Sequence, residues 1–155
     1  MISLRYAVSA LISVILLFSF SGCSVKESFV LQDFESTVSF EMSGITVKGN
    51  LSYKSQGEST FTVTEPENIS GTVFTDSEVS LPDIKINYGK MGDYSPVKAL
   101  LSAIADVGTK EILMPDAGEF EYISDTSSAG YKIIFDCTEK KITTIETEKS
   151  IFKFE

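Results

Sequence analysis

The stretch that decides the fold is TVSFEMSGITVKGNLSYKSQGESTFTVT, residues 37–64. Apolar and polar residues alternate along three runs within it, and the turn pairs Ser43-Gly44 and Gln56-Gly57 separate these runs. Such alternation is typical of a strand with one buried and one solvated face. Strands of this kind belong to antiparallel sheets that are packed on one side only. The stretch therefore predicts three consecutive antiparallel strands.

The same alternation continues further along the chain, on both sides of one helix. Ser95 suits the N-cap of this helix and Pro96 its first position, and an apolar stripe follows on a single face. The helix is predicted over residues 96–107, with Gly108 at the position just past its end. The remaining strands are predicted at residues 72–75, 84–88, 120–122, 131–136, 142–146 and 151–154.

Strand count and helix length together favour a curved sheet. About nine strands at ~4.8 Å spacing make a sheet roughly 43 Å wide, whereas a helix of twelve residues is about 18 Å long. One helix cannot cover a flat sheet of that width, so the sheet must curl, fold into a sandwich or keep an apolar cavity. The arrangement that fits best is a mainly β (α+β) fold: a strongly curved antiparallel sheet, or half-barrel, of about nine strands with one or two helices on the concave face.

Residues 1–22 have the pattern of a secretory signal peptide. Arg5 provides a short positive region, an apolar run extends over residues 7–20, and the small residues Ser21 and Gly22 follow. This order of charged, apolar and small residues is typical of exported proteins. A membrane-spanning helix is the less favoured alternative, because the run is shorter than the ~20 residues needed to cross a bilayer.

The stretch Phe20-Ser21-Gly22-Cys23 resembles the lipobox of bacterial lipoproteins. The resemblance implies cleavage directly before Cys23, with Phe20, Ser21 and Gly22 as the cleavage motif and Cys23 as the lipid-attachment site, labelled by palmitate. Two acyl chains hold a protein stably at a membrane. We therefore expect export and anchoring to the outer face of the bacterial cell membrane, or to an outer membrane where one is present. Cys137 would then have no disulfide partner and is interpreted as a small buried hydrophobic residue.

These observations divide the chain into three segments. Residues 1–22 are the signal peptide, residues 23–36 the lipid anchor and a tether, and residues 37–155 a single curved-sheet domain. Within the tether, Val30 and Phe34 lie at helical spacing, so a short helix is an alternative there. Removal of the signal peptide leaves 133 of the 155 residues, enough to build one hydrophobic core.

The order of these features is similar to that of small bacterial lipoproteins with the half-barrel domain of the lipoprotein-carrier superfamily (LolA/LolB-like). The likeness rests on the lipobox, the helix after Pro96, and the sequences GNL (49–51), FTV (61–63) and PENISG (66–71). It implies a curved antiparallel sheet whose apolar cavity holds acyl chains. It also implies partners for this chain: a membrane, reached through the N-terminal anchor, and a lipid or lipoprotein ligand.

The inward-facing apolar residues of the predicted strands and helix are candidates for lining such a cavity. The alternative is that the same side chains form a packed core, which is the more common role of an apolar face. Under that alternative the protein is an interaction or sensor module at the cell envelope. The candidates are Val38, Phe40, Leu51, Phe61, Val63, Ile86, Leu100, Leu101 and Ile104.

Composition argues against several other functions. The chain has 13 basic and 22 acidic residues, a net charge of −9, and no histidine. Nucleic-acid binding requires clustered Lys and Arg, so nucleic acid is not an expected partner. Without histidine, the Ser-His and Cys-His mechanisms of nucleophile activation are excluded. We expect no catalytic residues, metal site or cofactor, and thus a binding protein and not an enzyme.

Overall fold

The computed structural model describes residues 27–81, 84–87, 95–124 and 130–155, with the backbone alone for 84–87. This part of the chain is mainly β, with one α-helix, as the sequence predicts. The helix, α1, spans Pro96–Gly108, and a single 3-10 turn spans Glu67–Ile69. The strands are β1 (Glu27–Val30), β2 (Phe34–Met42), β3 (Ile45–Tyr53), β4 (Thr60–Glu65), β5 (Val73–Phe74), β6 (Glu78–Leu81), β7 (Ile84–Asn87), β8 (Glu111–Met114), β9 (Glu119–Ser124), β10 (Tyr131–Asp136), β11 (Lys141–Thr147) and β12 (Ile151–Phe154).

Ten of these strands form one antiparallel sheet, close to the nine expected. Their spatial order is β7-β6-β5-β4-β3-β2-β12-β11-β10-β9. The last strand, β12, therefore lies in the middle of the sheet, between β2 and β11. The other two strands, β1 and β8, pair with each other and form a separate antiparallel ribbon, called here the β1–β8 ribbon.

The hairpin of β2 and β3 follows directly from its sequence. Ser43 and Gly44 both have positive φ, 53° and 78°, as the two central residues of a type I′ turn require. The turn sets the register so that Phe40 faces Val47 and Met42 faces Ile45. Phe40 and Val47 are buried, whereas the tip of the hairpin extends past the core.

Helix α1 begins where the sequence predicts but ends one residue later. Ser95 occupies the N-cap position without a side-chain capping hydrogen bond, and Gly108 is the last helical residue, not the one beyond it. The reason for a glycine at 108 is space, because a Cβ there would lie 1.8 Å from the hydroxyl oxygen of Tyr53. The glycine thus permits close packing between the end of α1 and β3.

A continuous apolar core lies between α1 and the inner face of the sheet. The helix packs against β4 in one half of the sheet and β11 in the other. The sequence predicts an apolar stripe of Val97, Leu100, Leu101, Ile104 and Ala105; of these only Ala105 is exposed, and Ala103 and Val107 are buried in addition. The buried helical residues are Val97, Leu100, Leu101, Ala103, Ile104 and Val107.

The structure differs from the sequence prediction before residue 37. Residues 27–36 do not form a tether or a helix: β1 occupies Glu27–Val30 and β2 begins at Phe34. The helical spacing of Val30 and Phe34 has no helical counterpart, because β1 gains its backbone hydrogen bonds from β8. Two short strands, β6 and β8, were also not predicted. Ile142 and Ile145 are both buried although they are three residues apart, because a register shift in the pairing of β10 with β11 leaves one extra residue of β11 between them.

Candidate functional site

Eight of the nine candidate cavity residues lie in the core of the structure. Each is at most 4% exposed and belongs to one cluster that also includes residues of α1 and of both halves of the sheet. Ile86 lies on β7, where only the backbone is described. The eight buried side chains are Val38, Phe40, Leu51, Phe61, Val63, Leu100, Leu101 and Ile104.

A groove lies at the end of the sheet where the chain enters the described region. Its volume is about 660 Å³. One wall is the segment 28–36, and the opposite wall is formed by residues 140–142 together with the last two residues of the chain. We call it the β1 groove. None of the eight described cavity candidates lines it.

The inner surface of the β1 groove is largely apolar, although polar residues such as Ser36 also line it. Phe34 and Phe154 project from the inner face of the sheet with their ring centroids 6.4 Å apart, and Leu31 and Ile142 are almost fully buried beside them. Phe29 reaches past the groove to the core, where its ring meets that of Phe135 edge-on at 5.6 Å. The groove is therefore a continuation of the apolar inner face, left partly open at its margin.

Charged side chains surround the mouth of the β1 groove. The Lys140 ammonium lies 2.7 Å from Glu27, which fixes β1 to the turn between β10 and β11. On the other side, Asp33 accepts hydrogen bonds from the backbone N–H and hydroxyl of Ser55, at 2.7 and 2.6 Å. These bonds, the hydroxyl bond foremost, lower the pKa of Asp33. Polar and charged side chains thus form the rim of the groove.

The sequence contained only a weak signal for this groove. Phe29, Val30, Leu31 and Phe34 form an apolar cluster within an otherwise polar stretch, which was interpreted as part of a tether. These residues line the groove because β1 pairs with β8, and the two short strands lie far apart in the chain.

A second cluster of titratable groups joins the end of α1 to the sheet. The Asp106 carboxylate accepts hydrogen bonds from the Tyr131 hydroxyl, from Ser124 at 3.3 Å and from Lys110 at 2.6 Å. Lys110 also lies over the ring of Tyr122, 5.6 Å from its centroid. Desolvation raises the pKa of Asp106, but the three hydrogen bonds outweigh it and the pKa is lowered overall.

The pKa shifts in this cluster favour a structural role. Burial, followed by the bond to Asp106, raises the pKa of Tyr131 to about 12, and the bond to Asp106 raises that of Lys110. A general acid or base needs a pKa near the working pH, and both shifts move the groups away from it. The cluster therefore fixes α1 on β9 and β10.

Replacing Tyr131 with phenylalanine should reduce stability in a pH-dependent way. We expect a loss of about 1.5 kcal/mol at pH 8, at the low end of the ~1.5–3 kcal/mol for hydrogen bonds to charged groups, because Asp106 is a third exposed and keeps two other donors. The folded pKa of Tyr131, about 12, exceeds its ordinary 10.0. The tyrosine contribution is therefore complete below pH 10 and lost as the pH rises towards 12.

Urea unfolding of both proteins between pH 8 and pH 12 measures this difference. Every other ionisable side chain is common to both proteins, so the gap in unfolding free energy isolates Tyr131. The gap should close with rising pH. A gap that stays constant across this pH range would contradict the hydrogen bond from the Tyr131 hydroxyl to Asp106 as the source of the difference.

Cys137 is buried, as the sequence predicts, and desolvation raises the pKa of its thiol. A raised pKa makes a thiol unreactive. Among the described residues, no group of three or more Cys, Asp and Glu side chains is arranged to hold a metal ion. Cys23 and the motif before it lie outside the described residues.

Comparison with known proteins adds no assignment. No protein-family model matches the chain, and no curated protein matches it. In the described ranges, no helix is long and apolar enough to span a membrane.

Proposed function

We propose that this chain is an exported lipoprotein, anchored through Cys23 at the outer face of a bacterial membrane, that binds an apolar ligand without catalysis. The ligand class is an acyl chain, free or attached to another lipoprotein. The observation that carries the proposal is the β1 groove, with a volume of about 660 Å³ and an apolar interior. Ligand pockets are typically ~300–1,000 Å³ and mostly apolar, with a few polar groups.

The location of the groove also suits such a ligand. It begins at Ser28, five residues after Cys23. Five residues span at most ~18 Å, so a lipidated Cys23 would hold the groove close to the membrane from which an acyl chain comes. The binding site is therefore proposed at the margin of the inner face and not beneath its centre, where the candidate side chains are buried.

A half-barrel of the lipoprotein-carrier type remains our proposal for the shape of the sheet. Its support is the position of α1, which contacts both β4 and β11. These strands are four positions apart in the sheet, or about 19 Å at ~4.8 Å spacing. A sheet that curls around the helix brings both strands within reach of a cylinder about 10–12 Å across.

A second candidate function, protein interaction at the cell envelope, is favoured by a different feature. The turn of residues 42–45, called here the β2–β3 tip, exposes 42% of Met42 and 55% of Ile45. The two side chains are directly paired across the hairpin. Exposed apolar side chains at the end of a rigid hairpin are suited to contact a partner protein.

Two aspartate substitutions on β12 test ligand binding in the β1 groove. Phe154→Asp places a carboxylate in the apolar interior and should abolish binding of dodecanoate. Ile151→Asp is the control, because Ile151 lies on the same strand, is 53% exposed and does not line the groove. Binding to residues 24–155, which include every described residue, is measured by native mass spectrometry and by the thermal shift that dodecanoate produces.

We expect a dodecanoate adduct and a raised Tm for the unmodified chain and for Ile151→Asp. Absence of an adduct from the unmodified chain would contradict ligand binding and favour the interaction module. Equal binding by both aspartate variants would place the ligand outside the β1 groove.

A further inference from the structure

The β1–β8 ribbon exposes two large apolar side chains on its outward face. Ser28 pairs with Leu113 and Val30 with Glu111, so these four residues share one face of the ribbon. On the opposite face, Phe29 and Ile112 pack on the core. Val30 is 46% exposed and Leu113 is 56% exposed. The outward face therefore offers neighbouring apolar side chains although the core beneath it is complete.

The short stretch of chain between Cys23 and β1 limits what can lie against this face. β1 begins at Glu27, four residues after Cys23. Four residues reach at most ~14 Å even when fully extended. A lipid on Cys23 would thus keep the ribbon within about 14 Å of the membrane surface.

We propose that the outward face of the β1–β8 ribbon, with Val30 and Leu113, lies on the lipid surface into which Cys23 is anchored. This inference rests on the lipid anchor of the proposed function. It goes further by giving the domain a defined orientation: the ribbon and the mouth of the β1 groove face the lipid, and the β2–β3 tip faces away. Apolar side chains at the interface contribute binding in proportion to the area they bury.

The charges around the ribbon determine which lipid headgroups favour contact with it. The two acidic residues of the ribbon have partners, since Glu27 pairs with Lys140 and Glu111 accepts a hydrogen bond from the Ser28 hydroxyl. The chain as a whole carries a charge of −9 and is repelled by anionic headgroups. Contact is therefore expected to be closest on zwitterionic phosphatidylcholine and weaker as phosphatidylglycerol is added.

Single introduced cysteines report this orientation on the mature lipidated protein, residues 23–155. Leu113→Cys and Ile45→Cys are a matched pair, because the two side chains are 56% and 55% exposed. Ile45 lies at the β2–β3 tip, about 27 Å along the nine-residue strand β2 from the groove end, at ~3.4 Å per residue. Cys137 is buried with a raised pKa and does not compete for a thiol-reactive dye.

Each protein is labelled with an environment-sensitive NBD dye and reconstituted into phosphatidylcholine vesicles that contain lipids with nitroxide headgroups. We expect quenching and a blue shift at residue 113 and neither at residue 45. Val30→Cys, with a similar exposure, provides a second position on the ribbon. Palmitate labelling and vesicle flotation are measured on the same samples.

The outcomes separate the orientation from the anchor. Palmitate-labelled, vesicle-bound protein without quenching at residues 113 and 30 overturns the orientation alone. Quenching at residue 45 equal to that at residue 113 also overturns it. Protein that neither incorporates palmitate nor floats with vesicles overturns the anchor and, with it, the orientation.

Discussion

Shortening Leu101 to alanine is expected to lower the free energy of unfolding by about 2–5 kcal/mol, the range for Leu→Ala in packed cores. The side chain is 1% exposed on the inner face of α1. Domains of this kind are stable by only about 5–15 kcal/mol, so the loss is a large part of the total. Urea denaturation measures this loss. The midpoint should fall while the m-value stays unchanged, which identifies a change in stability.

This substitution distinguishes a packed core from a cavity beneath the sheet. In a cavity, Leu101 would already lack neighbours on one side, and its truncation would cost little. Ser102→Ala is the control, since residue 102 is exposed on the same turn of helix and surface changes usually stay within ~0.5 kcal/mol. A cost for Leu101→Ala as small as that of Ser102→Ala would favour an open cavity at the centre of the fold.

Replacing Cys23 with serine is expected to abolish palmitate incorporation and to release the protein from the membrane. A lipoprotein anchor is a thioether, which requires the cysteine sulfur, and the −9 charge of the chain provides no attraction to anionic headgroups. Metabolic labelling with palmitate and membrane fractionation measure both effects.

Cys137→Ser is the matched control for this loss, because it makes the same exchange at the chain's other cysteine. Cys137 is buried in the core, so its replacement should leave labelling intact. Palmitate incorporation that persists in Cys23→Ser would contradict the lipobox assignment.

Local periodicity was sufficient to predict most of the large sheet and the helix. β3 alternates over nine residues and borders a two-residue turn, and α1 begins with Ser95-Pro96. These signals are local, since each is contained within one element. The inward-facing residues followed from the same alternation, including the core positions of β4 and α1.

The β1–β8 ribbon was not predictable in the same way. β8 has four residues, and its exposed Leu113 between buried Ile112 and Met114 makes the last three continuously apolar, without the alternation that predicts a strand. Its partner β1 lies far away in the chain, so the sequence of neither strand indicates that the two strands pair. The β1 groove depends on this pairing. The end of α1 was missed for a similar reason, because Gly108 is explained by the distant side chain of Tyr53.

The central position of β12 has a consequence for how the protein is made. β12 joins β2 to β11, so the halves of the large sheet remain separate until β12, residues 151–154, has been synthesised. Pairings between distant segments also form slowly. A polypeptide emerging from the ribosome therefore cannot complete its sheet early and stays unfolded for longer. Under the export proposed for this chain, the delay would keep it in the unfolded form in which a polypeptide passes through a narrow channel.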